Sequence, residues 1–86
     1  MYKLVLSKRF KEELEKNVKG DVILWKKVTK TLHLLSENIN HPSLKLHKLT
    51  GRNNWSVSIS KSQRIIFTIQ KEIIFCTDFG KHEEVY

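Results

Sequence analysis

The side chains best suited to chemistry stand at the C-terminal end of the chain. His82 and Tyr86 lie four residues apart in the closing segment Gly80-Lys81-His82-Glu83-Glu84-Val85-Tyr86. An imidazole titrates near neutral pH and a phenol carries an exchangeable proton, so the pair offers acid–base catalysis. Upstream, the stretch from Asn38 to Lys71 holds six basic residues (Lys45, Lys48, Arg52, Lys61, Arg64 and Lys71) and no acid. A long acid-free basic stretch is what a polyphosphate ligand needs. Together these features point to a grip on RNA and to its cleavage without a metal. A 2′-hydroxyl attacks the neighbouring phosphorus, a base removes its proton, an acid protonates the leaving 5′-oxygen, and cations stabilise the phosphorane. Arg64, permanently charged and able to bond two phosphate oxygens at once, suits the stabilising role. His47 and Lys48, just ahead of a strand-like pattern at Trp55, could reach the same end of a sheet.

Each residue also has a duller reading. His82 could be an exposed tail residue, Tyr86 a ring that holds the tail down, and Arg64 a charge that protects a sheet edge. His33 and His41 read as capping or filling residues. Lys26, Lys27 and Lys30 read as a solvated helix face or a docking surface. Cys76, inside an apolar run, reads as a small core residue rather than a nucleophile. One cysteine and four scattered histidines lack the spacing of a zinc site, and three isolated glycines make no phosphate loop.

Charge and size narrow the class. The 86 residues carry a net charge of +7 and suit one domain spanning 1–86. Residues 1–54 hold twelve Lys and Arg against five Asp and Glu, while residues 55–86 hold four of each. The whole excess therefore lies in the N-terminal part and the segment after it. Such a balance favours nucleic acid, an anionic membrane or an acidic protein partner, the membrane least. No apolar run approaches a membrane span, and Met1-Tyr2-Lys3-Leu4-Val5-Leu6 lacks the charge order of a signal peptide. A single cysteine excludes an internal disulfide. The expectation is a soluble cytoplasmic protein with no cofactor and no metal.

Several elements must position these groups. Tyr2–Leu6 alternates as a short strand. Ser7 can cap a helix from Lys8 to about Lys19, in which Phe10, Leu14 and Val18 form one apolar stripe. Gly20 stops it and Asp21 caps a second helix, which should end before Pro42. Leu24, Trp25, Val28, Leu32, Leu35 and Ile39 form its apolar face. Pro42 to Asn54 reads as a connector. Trp55-Ser56-Val57-Ser58-Ile59-Ser60 alternates strictly, so the apolar residues pack and the serines line the open face. Lys61-Ser62-Gln63 is a tight turn, Arg64–Ile69 a strand, Gln70-Lys71-Glu72 a turn and Ile73–Asp78 the last strand. The order β-α-α-β-β-β predicts an α+β domain, two N-terminal helices packed on one face of a small, mainly antiparallel sheet.

The segments His41-Pro42-Ser43-Leu44-Lys45-Leu46-His47-Lys48-Leu49-Thr50-Gly51, Trp55-Ser56-Val57-Ser58, Arg64-Ile65-Ile66-Phe67 and Gly80-Lys81-His82-Glu83-Glu84-Val85-Tyr86 together resemble the RelE/ParE superfamily of toxins from type II toxin–antitoxin systems. The likeness is nearest to its RelE/StbE and YafQ-like members and covers essentially the whole chain. The resemblance implies a metal-independent endoribonuclease that cleaves mRNA in the ribosomal A site, as a monomeric toxin held by its cognate antitoxin in a hetero-oligomeric complex. It implies that Arg64 contacts the scissile phosphate, that His82 stands where YafQ-like members have a catalytic histidine, that Tyr86 is the C-terminal aromatic, and that His47 is a connector histidine. Lys45, Lys48, Arg52, Ser56, Ser58 and Lys81 would line the RNA path. Ser56 and Ser58 replace two lysines of RelE, while Ile59 and Gln63 replace a histidine and an aspartate of YafQ-like members. ParE-like members of the same fold inhibit DNA gyrase by binding, and an impaired toxin could act as a corepressor with its antitoxin. These are the competing readings.

Overall fold

The computed structural model describes residues 1–49, 51 and 53–81, with the backbone alone for Lys81. It contains β1 (Lys3–Leu6), α1 (Lys8–Val18), α2 (Val22–Glu37), a 3-10 turn (Pro42–Leu44), β2 (His47–Lys48), β3 (Trp55–Ser58), β4 (Gln63–Gln70) and β5 (Ile73–Lys81). The five strands form one sheet in the order β1-β5-β4-β3-β2. β1 runs parallel to β5 and the other pairs are antiparallel. The α+β architecture expected from the sequence is therefore the one observed, with a fifth strand added.

Local chemistry starts each helix where the sequence indicates. The Ser7 hydroxyl accepts the Phe10 N–H at 2.9 Å and donates to the Thr77 carbonyl at 3.1 Å. It therefore caps α1 and ties its first turn to β5. Phe10 and Leu14 point into the core, where Phe10 meets Phe79 edge-on with ring centroids 6.1 Å apart. Gly20, at φ 76°, supplies the left-handed turn after α1. Asp21 Oδ1 then accepts the Leu24 N–H at 2.9 Å and opens α2.

Leu24, Val28, Thr31 and Leu35 form the buried row of α2, and the Thr31 hydroxyl is satisfied by the Lys27 carbonyl at 2.8 Å. Trp25 departs from expectation and stands 48% exposed. It lies one residue, about 100° around the helix, from Leu24, so once the Leu24 row faces the sheet the indole falls on the flank. α2 also stops at Glu37, ahead of Ile39.

The expected connector has structure of its own. His41 caps the 3-10 turn by accepting the Ser43 N–H at 3.2 Å, and the turn drives Leu44 into the core. β2 then pairs His47 with Ser56 and Lys48 with Trp55. The tight turn expected after the Trp55 strand is wider. β3 ends at Ser58, and Ile59 N–H reaches the Gln63 carbonyl at 3.0 Å around a four-residue loop. Within it the Ser60 hydroxyl donates to Gln63 Oε1 at 2.5 Å and accepts the Gln63 N–H at 3.2 Å.

The last strand is longer than its alternation indicates. Ile74 and Cys76 face the core and so does Phe79, a spacing that strict period two forbids. The register explains it: Ile66 pairs with Asp78, but the next residue, Phe67, pairs with Cys76. Thr77 is thus the extra residue of a β-bulge, which turns the strand's facing and lets pairing continue to Lys81. Its hydroxyl donates to the Ile66 carbonyl at 3.3 Å, and its own carbonyl takes the Ser7 hydroxyl. Arg9, in the first turn of α1, reaches the adjoining Asp78 at 2.9 Å.

The Ser7→Ala variant should lose about 1–2 kcal/mol of stability, since it removes a helix cap and a bond to the bulge together. Urea unfolding followed by circular dichroism measures this, and an unchanged midpoint would show that the cap contributes nothing.

Candidate functional site

Strand register decides which side chains share the sheet face away from the helices. Val57, Ile65 and Phe67 face the helical core, so by alternation Ser56, Ser58, Arg64 and Ile66 lie on the opposite face. Cross-strand pairing extends this face into rows. One row runs His47, Ser56, Ile66 and Asp78, and the next runs Ser58, Arg64 and Gly80. Arg64 and His47 are two strands and two residues apart on the same face, about 12 Å between Cα atoms from ordinary sheet spacings. Both side chains can therefore reach a single phosphodiester laid across β3.

The Ser58–Arg64–Gly80 row exists because of the Thr77 bulge, which brings a residue with no side chain opposite Arg64. Arg64 itself is half-buried, and its Nη1 atom is withdrawn from solvent. A guanidinium in such a setting acts more strongly on a phosphate than one in open water.

The remaining candidates separate. Ser56 was expected on the open serine face, but it is fully buried together with its neighbour Ile66 and with Leu49. Its hydroxyl therefore cannot meet RNA directly in this conformation. Ser58 is half-buried, and its hydroxyl donates to the Ser60 carbonyl at 2.9 Å. Lys48 pairs with Trp55, so it lies on the helix side of β2, with Nζ 5.8 Å from the centre of the Trp55 ring. It does not join Arg64. Lys45 ends the 3-10 turn in a left-handed conformation, φ 48°, and is exposed. Lys81 closes β5 opposite Gln63. Arg52, His82 and Tyr86 lie outside the described residues.

Two lysines read as a solvated helix face have a further setting. Lys27 and Lys30 line a cleft of about 180 Å³ with Thr31, Leu34, Ser43, Leu44, Ser58 and Ile59. Their spacing of three residues on α2 was the available signal, but the sequence could not show which strand end they faced. His33 pairs with Glu37 at 3.4 Å, and His41 is occupied as a cap. Cys76 is buried, and burial pushes its thiol up to about 12, which removes the thiolate at neutral pH. Among the described residues no three His, Cys, Asp or Glu side chains cluster as metal ligands, and no helix is long and apolar enough to cross a membrane.

The sequence matches no protein-family model and no curated protein, whereas solved structures do match it. A metal-bound toxin from Helicobacter pylori superposes with a TM-score of 0.82 at 25% identity, covering 100% of both chains. The toxin in the DinJ–YafQ complex of E. coli superposes at 0.81 and 14% identity, covering 100% of this chain and 99% of that one. A YoeB/ParE toxin from Agrobacterium tumefaciens follows at 0.78 and 17%, covering 93% and 98%. The chain has the fold of the RelE-like toxins, in agreement with the resemblance read from its sequence motifs.

Two outcomes follow from these positions. Ser56→Lys should cost about 2 kcal/mol or more in urea unfolding, since it buries an ammonium, while Ser58→Lys should be close to neutral. Cys76 should react with a thiol reagent only as fast as the protein unfolds; rapid labelling of the folded chain would contradict its burial.

Proposed function

We propose that this protein is the toxin of a type II toxin–antitoxin pair, acting in the cytoplasm as an endoribonuclease on mRNA in the ribosomal A site. The observation that carries this reading is the face built from Arg64, Ser58, Gly80 and His47, on a fold shared end to end with YafQ and related toxins. Its Arg64, Ser58 and His47 come from a stretch with no carboxylate from Asn38 to Lys71, as an RNA backbone requires, and the Asp78 carboxylate in the row beside them is held by Arg9 at 2.9 Å.

In this mechanism Arg64 binds the non-bridging oxygens of the scissile phosphate and stabilises the charge that grows as the 2′-oxygen attacks. His82 and His47 are the candidates for the base that takes the 2′-proton and the acid that protonates the 5′-oxygen. Tyr86 assists the proton transfer or stacks on a base. The products are a 2′,3′-cyclic phosphate and a 5′-hydroxyl, and no metal takes part. Lys45, Arg52 and Lys81 add positive charge along the RNA, and Ser58 a polar contact. With serines in place of RelE's lysine pair, positioning of the substrate by the ribosome carries more of the rate.

The partner proposed is an acidic antitoxin. The E. coli YafQ neighbour was solved with DinJ, and a net charge of +7 suits such a companion.

Expression of the chain alone should arrest growth, with primer extension showing codon-spaced cuts in mRNA. Arg64→Ala should lower cleavage about 100-fold or more, the scale of losing one donor to a transition-state oxyanion. Arg64→Lys should restore little, because an ammonium does not reproduce the fork. His82→Ala should likewise relieve arrest. Filamentation and a DNA-damage response without cuts would replace this reading with gyrase inhibition.

A further inference from the structure

A second binding feature lies at the other end of β3 and takes no part in the chemistry above. β3 begins with Trp55 opposite Phe67, whereas β4 continues through Thr68, Ile69 and Gln70 before its turn. The step between the two strands leaves a notch of about 360 Å³, lined by Lys48, Asn53, Trp55, Thr68, Ile69 and Gln70. All six residues come from the acid-free stretch between Asn38 and Lys71, so no carboxylate lines it.

The lining combines three kinds of group. Trp55 offers an aromatic face, at present covered by the Lys48 ammonium 5.8 Å from its ring centre. Asn53 and Gln70 are exposed carboxamides, each with a donor and an acceptor. Lys48, also exposed, brings a cation on a flexible stem. A planar heteroaromatic ring uses the first, its polar edge the second, and a phosphate attached to it the third. A carboxylate-rich peptide would use the lysine and the carboxamide N–H groups but would leave the aromatic face without a partner.

We propose that the notch holds one unpaired nucleotide, with its base stacked on Trp55, its edge against Asn53 and Gln70, and its phosphate on Lys48. Stacking of a base on an aromatic ring is stronger than an exposed cation–π contact, so the base displaces the ammonium, which swings to the phosphate. Thr68 is four residues along β4 from Arg64, about 13 Å. One phosphate cannot touch both, and Trp55 and Lys48 lie on the helix side while Arg64 lies on the other, so the notch takes a separate nucleotide of the strand, past the end of β3, and sets its register. In that role the inference rests on the RNA-cleaving reading, although binding itself does not need cleavage.

The test uses the full chain carrying Trp25→Phe, which leaves Trp55 as the sole tryptophan. Adenosine 5′-monophosphate should quench its fluorescence saturably in the millimolar range, and inorganic phosphate should not. Lys48→Ala and Gln70→Ala, both at exposed positions, should each weaken binding about fivefold or more, the scale of losing one contact to a base or phosphate. The proposal is overturned by an absence of saturable quenching, or by quenching that both variants leave unchanged. Quenching by tetraglutamate with none by the nucleotide also overturns it, and assigns the notch to an acidic protein partner. Nucleotide binding in a protein that makes no mRNA cuts would sink the nuclease reading alone, and cuts without nucleotide binding would sink this one alone.

Discussion

The arrangement of this molecule depends on one extra residue in its last strand. Thr77 interrupts the ladder between β4 and β5, and three hydrogen-bonding groups hold it: its own hydroxyl, its carbonyl and the hydroxyl of Ser7. On one side of the bulge Ile74 and Cys76 face the helices; beyond it Phe79 does, and it meets Phe10 of α1. Without the bulge, Phe79 would turn outward and Gly80 inward, and the row that places Gly80 across from Arg64 would be lost. The aromatic pair and the row through Arg64 thus share one structural cause, and the hydroxyl that caps α1 also bonds the bulge. Bulges are frequent beside functional sites because they re-aim a strand without breaking its sheet.

The two faces of the sheet carry different duties. The helix side holds the apolar mass of Phe10, Phe67, Phe79, Leu35 and Ile65, which stabilises the domain. The other side carries Arg64 and His47, two strands apart on one face. Its buried members Ser56 and Ile66 give that side a packed floor, so Arg64 stands on a rigid strand instead of a loop.

Much of this architecture was legible in the sequence, for local reasons. The caps Ser7 and Asp21, the stop at Gly20 and the four-residue stripe of Phe10 and Leu14 act over one or two turns of chain. Each therefore shows in residue type and spacing. The likeness of four motifs to RelE-like toxins carried the fold class as well, and the shared fold agrees with it. The site was legible in part: Arg64 opposite Ser58 follows from the hairpin, whereas Lys48 was grouped with Arg64 although it belongs to the Trp55 side. Its strand is two residues long, and so short a segment carries no periodicity.

By itself the sequence determined the order of the two helices and of four of the five strands, a buried cysteine and a basic, acid-free middle segment. Those properties come from composition and from contacts between near neighbours. Only the tertiary structure decided that Ser56 is buried, that Trp25 is exposed, that Lys27 and Lys30 line a cleft near the end of β3, and that a notch opens beside Trp55. Each of these depends on which strand lies beside which and on where a bulge shifts the register. Such pairings join residues far apart in the chain, and local spacing carries no record of them.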